Sequence, residues 1–492
     1  THVEPQNETE KMLVDVFKNV LNLDSVSTED NFFEIGGDSL KAIKLSSILS
    51  IKYNVSLKDI FENNTIIDLS KSIIYKNKEN ITDKLEKLKS FESNTLSSYD
   101  KEDYYTYYEE IKNMYGTVKE IEFSNYKNVF LTGATGYFGI HLLKEILDHT
   151  KSSISILMRK SNNRDNLNRI KDLWLYYFND VLPENYKNRI TVFEGDISKD
   201  NLGLNRKHYD YLAKHIDIII NSAANVQHFT KREKAYSTNT ESLKTLINFS
   251  NHIKIKEIHH MSTISIASGI VNNHDYIKFT EEHLDVNQNP NNVYVESKLD
   301  GEIILDKNRS KNTNINIYRL GNLQCSSKNG IFQLHPETNA FFNVITSLKK
   351  LGFYPSLIED SIEFTEVDKA AEACIKLIFK TNLKNETYHI YNPNYLSLEK
   401  LMNYYRKQYD IKPLSWTEFI DFLIHEKYYN DTDYLDNLLL HTGVYDDNIF
   451  NKTIFDLDSF KTNYILKKIN FKWNPVSKKL LSDMFTNHKN SF

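Results

Sequence analysis

One pair of residues in this chain has the spacing needed to make a phenol a useful acid. Tyr294 and Lys298 lie four positions apart in the segment YVESK. Positions i and i+4 share one face of a helix, so the lysine ammonium would lower the pKa of the phenol. A tyrosine placed this way can act as a general acid, which typically accelerates a reaction by about 10²–10⁴-fold. Pairs of this kind also arise by chance, so the surrounding elements decide what this one means.

A hydroxyl upstream is the candidate for a third catalytic group. Thr263 ends the β-rich run at 255–263, where its side chain would point into a cleft and hydrogen-bond a substrate oxygen. Ser265 is the alternative residue, and an ordinary strand-end hydroxyl is the simpler interpretation. His259 and His260 precede it in the run. We interpret both as strand residues and expect no metal site.

A glycine-rich turn follows another β-rich run. The segment TGATGYFG at 132–139 stands between an apolar run and an apolar helix, in a chain with only 14 glycines. Such a turn lets the backbone approach a pyrophosphate, which then sits on the helix N-terminus. The pattern therefore predicts dinucleotide binding, and a tight strand-to-helix turn without a ligand is the alternative.

The residues after the second predicted strand bear on which dinucleotide binds. Arg159 and Lys160 follow Gly139 by about twenty positions, with no carboxylate before Asp165. An acidic residue would bind a ribose 2′-hydroxyl, whereas arginine accommodates a 2′-phosphate. This favours NADPH over NADH. Arg169 is either a second phosphate contact or a solvated helix residue.

A serine near the start of the chain is the remaining chemical feature. The segment GGDSL at 36–40 places Ser39 after two glycines, where a helix would begin. The helix dipole there favours an anionic adduct such as a phosphodiester. A simple capped helix start is the alternative, because Asp and Ser are favoured N-cap residues.

The fold must hold these residues in place, and the pattern of apolar residues predicts two different folds along the chain. Residues 1–78 show helical spacing, with Leu40, Ile43 and Ile48 predicted to point inward from a helix beginning at Ser39. A bundle of this size suits a carrier or adaptor. From residue 126, six β-rich runs alternate with helical stretches, which predicts a parallel sheet covered on both faces. The runs are 128–132, 153–160, 189–197, 215–224, 255–263 and 315–322.

The expected fold class is a small all-α helical bundle followed by an α/β doubly wound Rossmann domain with a smaller, mainly helical C-terminal subdomain. We expect a Rossmann core at about 126–325 and 362–392, and a substrate subdomain at about 326–361 and 393–492. Residues 79–125 form a charged linker with a tyrosine cluster at 104, 105, 107 and 108. We interpret the cluster as an aromatic helix face that packs on the next domain, and substrate contact is the alternative.

Composition narrows the class of protein. The chain has 492 residues, a net charge of -5 and 40% hydrophobic residues, which is ordinary for a globular protein of several domains. Without a basic excess, we expect no nucleic-acid partner. No apolar run approaches the roughly 18 residues of a membrane span. Two cysteines exclude a disulfide framework, so we expect a cytoplasmic protein. The first residue is Thr1, and we expect a piece of a longer chain.

Two stretches of sequence resemble known families. Much of 1–75, including FFEIGGDSLKAIKLSSIL, resembles a peptidyl carrier protein. That resemblance implies that Ser39 carries a covalent 4′-phosphopantetheine arm. Downstream, TGATGYFG, GDI, NSAANV, MSTISI, YVESK and RLGN occur in an order that resembles the extended short-chain dehydrogenase/reductase family. More narrowly, the set is similar to the terminal thioester reductase domains of nonribosomal peptide synthetases and carboxylic acid reductases.

The second resemblance implies roles for individual residues. Tyr294, Lys298 and Thr263 would be catalytic, and Lys298 would also bind the cofactor. Leu320 stands where the family usually has proline. The residues expected to contact NADPH are Gly133, Thr135, Gly136 and Gly139 at the pyrophosphate, Arg159 at the 2′-phosphate, Asp196 and Ile197 near the adenine, and Ala223 and Ala224 beside the cofactor, with Asn239 in support.

The expected function is reductive release of a peptidyl or acyl thioester from the carrier, giving an aldehyde, or an alcohol after a second hydride transfer. The expected partners are upstream adenylation and condensation domains of the same synthetase and a phosphopantetheinyl transferase. Three alternatives remain. They are a non-redox cyclase on the same fold, a nucleotide-sugar epimerase or dehydratase, and a pure interaction module.

Overall fold

The computed structural model describes residues 2–49, 53, 55, 57–73, 81–89, 102–161, 165–226, 232–290, 292–310, 313–356, 361–406, 409–430, 432–442, 444 and 453–487. No helix among these residues is long and apolar enough to cross a membrane.

The N-terminal unit is a small helical bundle, as expected. Asn7 caps its first helix by accepting a hydrogen bond from the Glu10 amide at 2.8 Å. Ile43 is buried, whereas Ile48, which we expected to point inward, is 36% exposed. Five positions of helix place the two side chains about 140° apart, so both cannot face the same core. The helices are α1 (Glu8–Leu21), α2 (Ser39–Leu49), α3 (Leu57–Glu62) and α4 (Ile66–Ser72).

Among the described residues after the bundle, helices α5 (Ile81–Lys89) and α6 (Glu102–Tyr115) pack on later parts of the chain. The indole of Trp416 donates to the Leu88 carbonyl at 2.8 Å, which fixes α5. On α6, the phenols of Tyr107 and Tyr108 donate to Glu281 and Asp458. Tyr105 is exposed, and the Tyr104 side chain lies outside the described part of the chain.

The second unit is built on a seven-stranded parallel sheet. The strands of this sheet are β1 (Asn128–Thr132), β2 (Ser153–Met158), β3 (Ile190–Glu194), β4 (Ile218–Asn221), β5 (Glu257–Thr263), β7 (Ile315–Leu320) and β11 (Thr387–Ile390). In space they follow the order β11-β7-β5-β4-β1-β2-β3. The short strands outside this sheet are β6 (Tyr276–Phe279), β8 (Leu323–Gln324), β9 (Phe353–Ser356), β10 (Thr365–Glu366), β12 (Lys412–Ser415) and β13 (Ile454–Leu457).

The helices of this unit alternate with its strands along the chain. They are α7 (Tyr137–His149), α8 (Asn166–Phe178), α9 (Glu184–Lys187), α10 (Arg206–His215), α11 (Arg232–Tyr236), α12 (Ser242–Asn251), α13 (Val293–Lys307) and α15 (Val367–Phe379). Apolar residues of α7, α8 and α15 cover one face of the sheet, and those of α10, α12 and α13 cover the other. The doubly wound arrangement is confirmed.

A separate apolar core holds the smaller, mainly helical subdomain together. Its helices are α14 (Ala340–Leu351), α16 (Leu398–Tyr405), α17 (Trp416–Tyr429), α18 (Asp433–His441) and α20 (Lys478–Asn487). Leu440 of α18 packs into the core of the N-terminal bundle. The structure differs from expectation at 454–473. There β13 pairs with β6, and α19 (Phe460–Lys468) packs on the α/β core.

Candidate active site at the carboxyl edge of the sheet

The glycine turn after β1 is held by close backbone packing. A Cβ on Gly133, whose φ is +73°, would lie 2.5 Å from the Ser222 backbone, and one on Gly139 would lie 2.0 Å from the Gly133 oxygen. Gly136 precedes α7 and has no side chain to cap it, so the first N–H groups of α7 are left for an anion. Thr135 is partly exposed in the same turn. These residues fit a dinucleotide pyrophosphate.

Two arginines meet where β2 ends. Arg159 is exposed one residue after the strand. The Arg169 guanidinium donates to the Arg159 carbonyl at 3.3 Å and to Asn166 Oδ1 at 3.0 Å. A solvent-accessible cationic pair therefore stands at the end of β2.

The residues after β3 use their polar groups within the loop. Asp196 Oδ1 accepts from the amide of Ser198 at 2.9 Å and from its hydroxyl at 2.7 Å. Ile197 is buried in the core beneath that face of the sheet. The Asp196 side chain thus stabilises the loop through its hydrogen bonds, and the Ile197 side chain anchors the loop in the apolar core.

The ends of β1 and β4 are joined by buried hydrogen bonds. Thr132 Oγ1 donates to Asn221 Oδ1 at 2.6 Å and accepts from the Ala223 amide at 3.3 Å. Asn221 Nδ2 donates to His260 Nδ1 at 2.9 Å. Burial holds the pKa of His260 well below its usual range, so its ring is neutral and can accept this bond. Ala223 and Ala224 are partly exposed just beyond the strand.

Asn239 joins the loop after β4 to helix α13. Its side chain accepts from the Asn225 amide at 2.8 Å and donates to Ser297 Oγ at 3.0 Å. It lies in a single π-helical turn, Ser237–Glu241, a feature often found at functional sites. A Cβ on Gly301 would lie 2.6 Å from the Asn239 carbonyl oxygen, so α13 can approach the turn only because this residue is glycine.

The three expected catalytic residues meet where β5 ends and α13 begins. Burial raises the pKa of the Tyr294 phenol, and a hydrogen bond with the Thr263 hydroxyl lowers it in part. Lys298 donates to the Met261 carbonyl at 3.0 Å. Burial lowers the pKa of Lys298 to about 8. Ser265, the alternative to Thr263, lies 3.1 Å from the Thr263 hydroxyl oxygen.

A buried ion pair beneath this site was not foreseen from the sequence. The Arg319 guanidinium lies 2.9 Å from Glu302 Oε2, and both side chains are almost fully buried. Glu302 also accepts a hydrogen bond from the Ser262 hydroxyl. Arg319 contacts the ring of His389 at 3.1 Å. Glu302 therefore links α13, one turn after Lys298, to the adjacent strands β5 and β7. The only available signal was its i+4 spacing from Lys298.

The serine of the N-terminal bundle begins α2. Ser39 is partly exposed, and Asp38 accepts from the Lys41 amide at 2.8 Å, which caps the helix. A Cβ on Gly37 would lie 2.4 Å from the Phe32 ring. Gly37 thus packs the turn against the bundle, and the Ser39 hydroxyl lies at a helix start, which fits a phosphodiester-linked arm.

Fold and site together define an extended short-chain dehydrogenase/reductase behind a carrier domain. Residues 131–374 match the family described as "Male sterility protein", and residues 12–73 match "Phosphopantetheine attachment site". The chain thus pairs a phosphopantetheine carrier domain with a reductase-type domain, and in this it resembles the carrier and terminal reductase domains of nonribosomal peptide synthetases. By class it is a nicotinamide-dependent reductase, and its carrier domain uses 4′-phosphopantetheine as a second cofactor.

The curated relatives are much longer proteins. One of the subunits of linear gramicidin synthase from Brevibacillus parabrevis is 27% identical over 430 residues, covering 85% of this chain and 8% of that protein. Glycine betaine reductase ATRR of Emericella nidulans is 25% identical over 415 residues, covering 80% of this chain and 30% of that protein. The chain thus spans less than a third of either relative.

A solved structure matches both units at once. It is a thiolation-reductase di-domain from an archaeal non-ribosomal peptide synthetase, 27% identical, with a TM-score of 0.78. The match covers 100% of this chain and 99% of that one. The carrier in this position gives the nucleotide-sugar alternative no support, because such an enzyme has no use for a phosphopantetheine serine.

Proposed function

We propose that this chain releases a peptidyl or acyl thioester from its own carrier by NADPH-dependent reduction to an aldehyde, or to an alcohol after a second round. The observation that carries the proposal is the meeting of Thr263, Tyr294 and Lys298 at the sheet edge that also holds the glycine turn. The carrier serine, Ser39, is in the same chain. Tethering raises the effective concentration of substrate at the cleft without any new contact.

The protein's part in the chemistry is to bind and protonate the substrate oxygen. A bound nicotinamide would supply the hydride that the thioester carbonyl carbon accepts. As charge develops on the oxygen, the hydroxyls of Thr263 and Tyr294 stabilise it by hydrogen bonds. Tyr294 then gives its proton to the oxygen, and the Lys298 ammonium stabilises the phenolate that remains. The product of this step is a hemithioacetal, which collapses to an aldehyde and a thiol.

We infer that NADPH is preferred over NADH. Arg159 is exposed after β2, with the Arg169 guanidinium held against its carbonyl. Two guanidinium groups suit a 2′-phosphate, because arginine binds phosphate in a forked, bidentate geometry.

The partners follow from the family. We propose that adenylation and condensation domains of the same synthetase supply the thioester and that a phosphopantetheinyl transferase loads Ser39. A cytoplasmic setting is consistent with Cys325 and Cys374, which are both free and buried.

A single-turnover assay tests the proposal. Ser39 is loaded with an acyl- or dipeptidyl-pantetheine, NADPH or NADH is added, and the released product is identified by mass. We expect NADPH oxidation with aldehyde or alcohol, abolished in Tyr294→Phe and Ser39→Ala but retained in Tyr211→Phe, a control at an exposed tyrosine. Thioester consumption without NADPH oxidation would instead support the cyclase.

A further inference from the structure

A carboxyl group lies at the same edge of the sheet, outside the expected catalytic set. Glu363 accepts a hydrogen bond from the Asn322 amide through Oε2 and one from the Thr365 hydroxyl through Oε1. A Cβ on Gly321 would lie 2.6 Å from both Glu363 Oε2 and Tyr391 Cβ, so a larger residue here would displace the carboxyl or the Tyr391 side chain. The position of Glu363 is therefore built into the loop after β7.

The register of the sheet places this loop beside the catalytic strand. Thr263 pairs with Leu320, the last residue of β7. Gly321 follows directly and still donates its backbone N–H to the Ile390 carbonyl at 2.9 Å, so Asn322 comes just beyond the end of the sheet next to Thr263. Asn322 is exposed and Glu363 is partly exposed. The carboxyl thus borders the space where a substrate bound to Thr263 would continue.

The surroundings of Glu363 favour its protonated form. Burial, with a smaller contribution from the nearby Glu366 carboxyl, raises the pKa of Glu363 to about 7. The two hydrogen bonds it accepts act in the opposite direction. Burial raises the pKa of the nearby Tyr395 phenol, and the Glu363 carboxylate contributes to the same rise. A substantial fraction of Glu363 therefore carries a proton at neutral pH.

The proton balance of thioester reduction requires a second acid. Reducing a thioester to an aldehyde and a thiol consumes one hydride and one proton. Tyr294 lends its proton to the oxygen and recovers it when the hemithioacetal hydroxyl becomes a carbonyl. The consumed proton therefore ends on sulfur, and Tyr294 alone does not supply it.

We propose that Glu363 is the general acid that protonates the departing thioester sulfur. This assignment rests on the proposed function. In the collapse, the C–S bond breaks and its electron pair goes to sulfur, which takes the Glu363 proton. The hydroxyl proton returns to the Tyr294 phenolate as the C=O bond forms. Solvent then reprotonates the Glu363 carboxylate.

The test compares thioesters with different thiol leaving groups, in enzymes with and without the Glu363 carboxyl. Wild type, Glu363→Gln and the exposed control Glu337→Gln are given an N-acetylcysteamine thioester and a thiophenyl thioester of the same acyl group, with NADPH. An alkyl thiolate needs a proton to leave, whereas the aromatic ring stabilises a thiophenolate. We expect Glu363→Gln to lose about 10²-fold in kcat with the alkyl thioester and less than about threefold with the aryl thioester.

Equal losses with the two thioesters, or no loss with the alkyl one, would overturn the assignment. If wild type oxidised no NADPH with either ester, the proposed function itself would fail, and this assignment with it. The titration of the Glu363 carboxyl can also be measured directly, without cofactor or substrate, by carbon-13 NMR or infrared difference spectroscopy. We expect a group titrating near pH 7 that disappears in Glu363→Gln but not in Glu337→Gln. A Glu363 carboxyl already ionised at pH 5 would contradict the proposal.

Discussion

The Thr263 hydroxyl hydrogen-bonds the phenol of Tyr294, which joins the last residue of β5 to the first turn of α13. The bond holds two proton donors side by side, although they come from positions 31 residues apart in the chain. It also opposes the effect of burial on the Tyr294 pKa. The pair is thus arranged to share one substrate oxygen.

Removing the Thr263 hydroxyl should slow hydride transfer more than it weakens binding. Thr263→Ala loses a donor to the developing oxyanion, and we expect kcat to fall by about 10²–10³-fold. Thr263→Ser keeps the donor and should retain most of the activity. Single-turnover rates on a loaded carrier measure this. If Ser265→Ala caused the larger loss, the third catalytic group would be Ser265.

Lys298 should make the folded enzyme less stable than a variant without the charge. Its pKa is about 8 in the folded chain, against 10.5 for the ordinary side chain. Between pH 8 and 10.5 the unfolded chain binds more protons than the folded chain, so the free energy of unfolding rises with pH. Below pH 8 both states are protonated at Lys298, and the loss of stability caused by its burial is constant. Lys298→Met should therefore raise the free energy of unfolding at pH 7 by up to about 3 kcal/mol, while abolishing reduction.

Urea unfolding at several pH values checks this expectation. The gain in Lys298→Met should shrink as pH rises from 8 to 10.5 and vanish above it. Lys307→Met, at an exposed position of the same helix, should show no such trend. In wild type, reduction should decline as pH rises through about 8, because the ammonium that supports Tyr294 is lost. A rate independent of pH between 7 and 9.5 would argue against the assigned role.

Arg159 should determine which nicotinamide cofactor is used. Arg159→Ala removes a 2′-phosphate contact, so we expect KM for NADPH to rise about tenfold or more while KM for NADH stays nearly constant. Arg206→Ala, at an exposed arginine on α10, is the matched control. Steady-state kinetics with both cofactors give the answer. A parallel change in both KM values would mean that Arg159 does not read the 2′-phosphate.

Removing only one partner of the Glu302–Arg319 ion pair should lower the free energy of unfolding strongly. Glu302→Ala leaves the Arg319 guanidinium buried without its carboxylate, and we expect a loss of about 3–5 kcal/mol in the free energy of unfolding. Replacing both residues with methionine removes both charges and should recover most of that stability. Chemical denaturation of the single and double variants tests this. Additive losses would show that the two side chains act independently.

The sequence was informative where a feature is local. The glycine turn, the strand endings and the Tyr294–Lys298 spacing each lie within a few residues, and the six predicted strands are all present in the sheet. The seventh strand, Thr387–Ile390, was not predicted, because four consecutive buried residues show no alternation that distinguishes a strand from a buried helix turn.

Features that join distant segments could not be predicted. Glu363 meets Asn322 across 41 positions, and Arg319 meets His389 across 70. Neither contact leaves a pattern in one sequence, because only the sheet register brings the partners together. For the same reason the return of 454–473 to the α/β core was missed. Its partners, β6 and helices of the large sheet, precede it by more than 70 residues.

The tyrosines of α6 determine where the reductase can be separated from its carrier. Tyr107, Tyr108 and Tyr115 donate to Glu281, Asp458 and Glu386, acids that belong to the α/β unit. A cut at residue 126 would strip these carboxylates of their phenol donors and uncover the apolar surface beneath Tyr115. An excised catalytic unit that keeps its native shape therefore has to retain α6, from Glu102 onward.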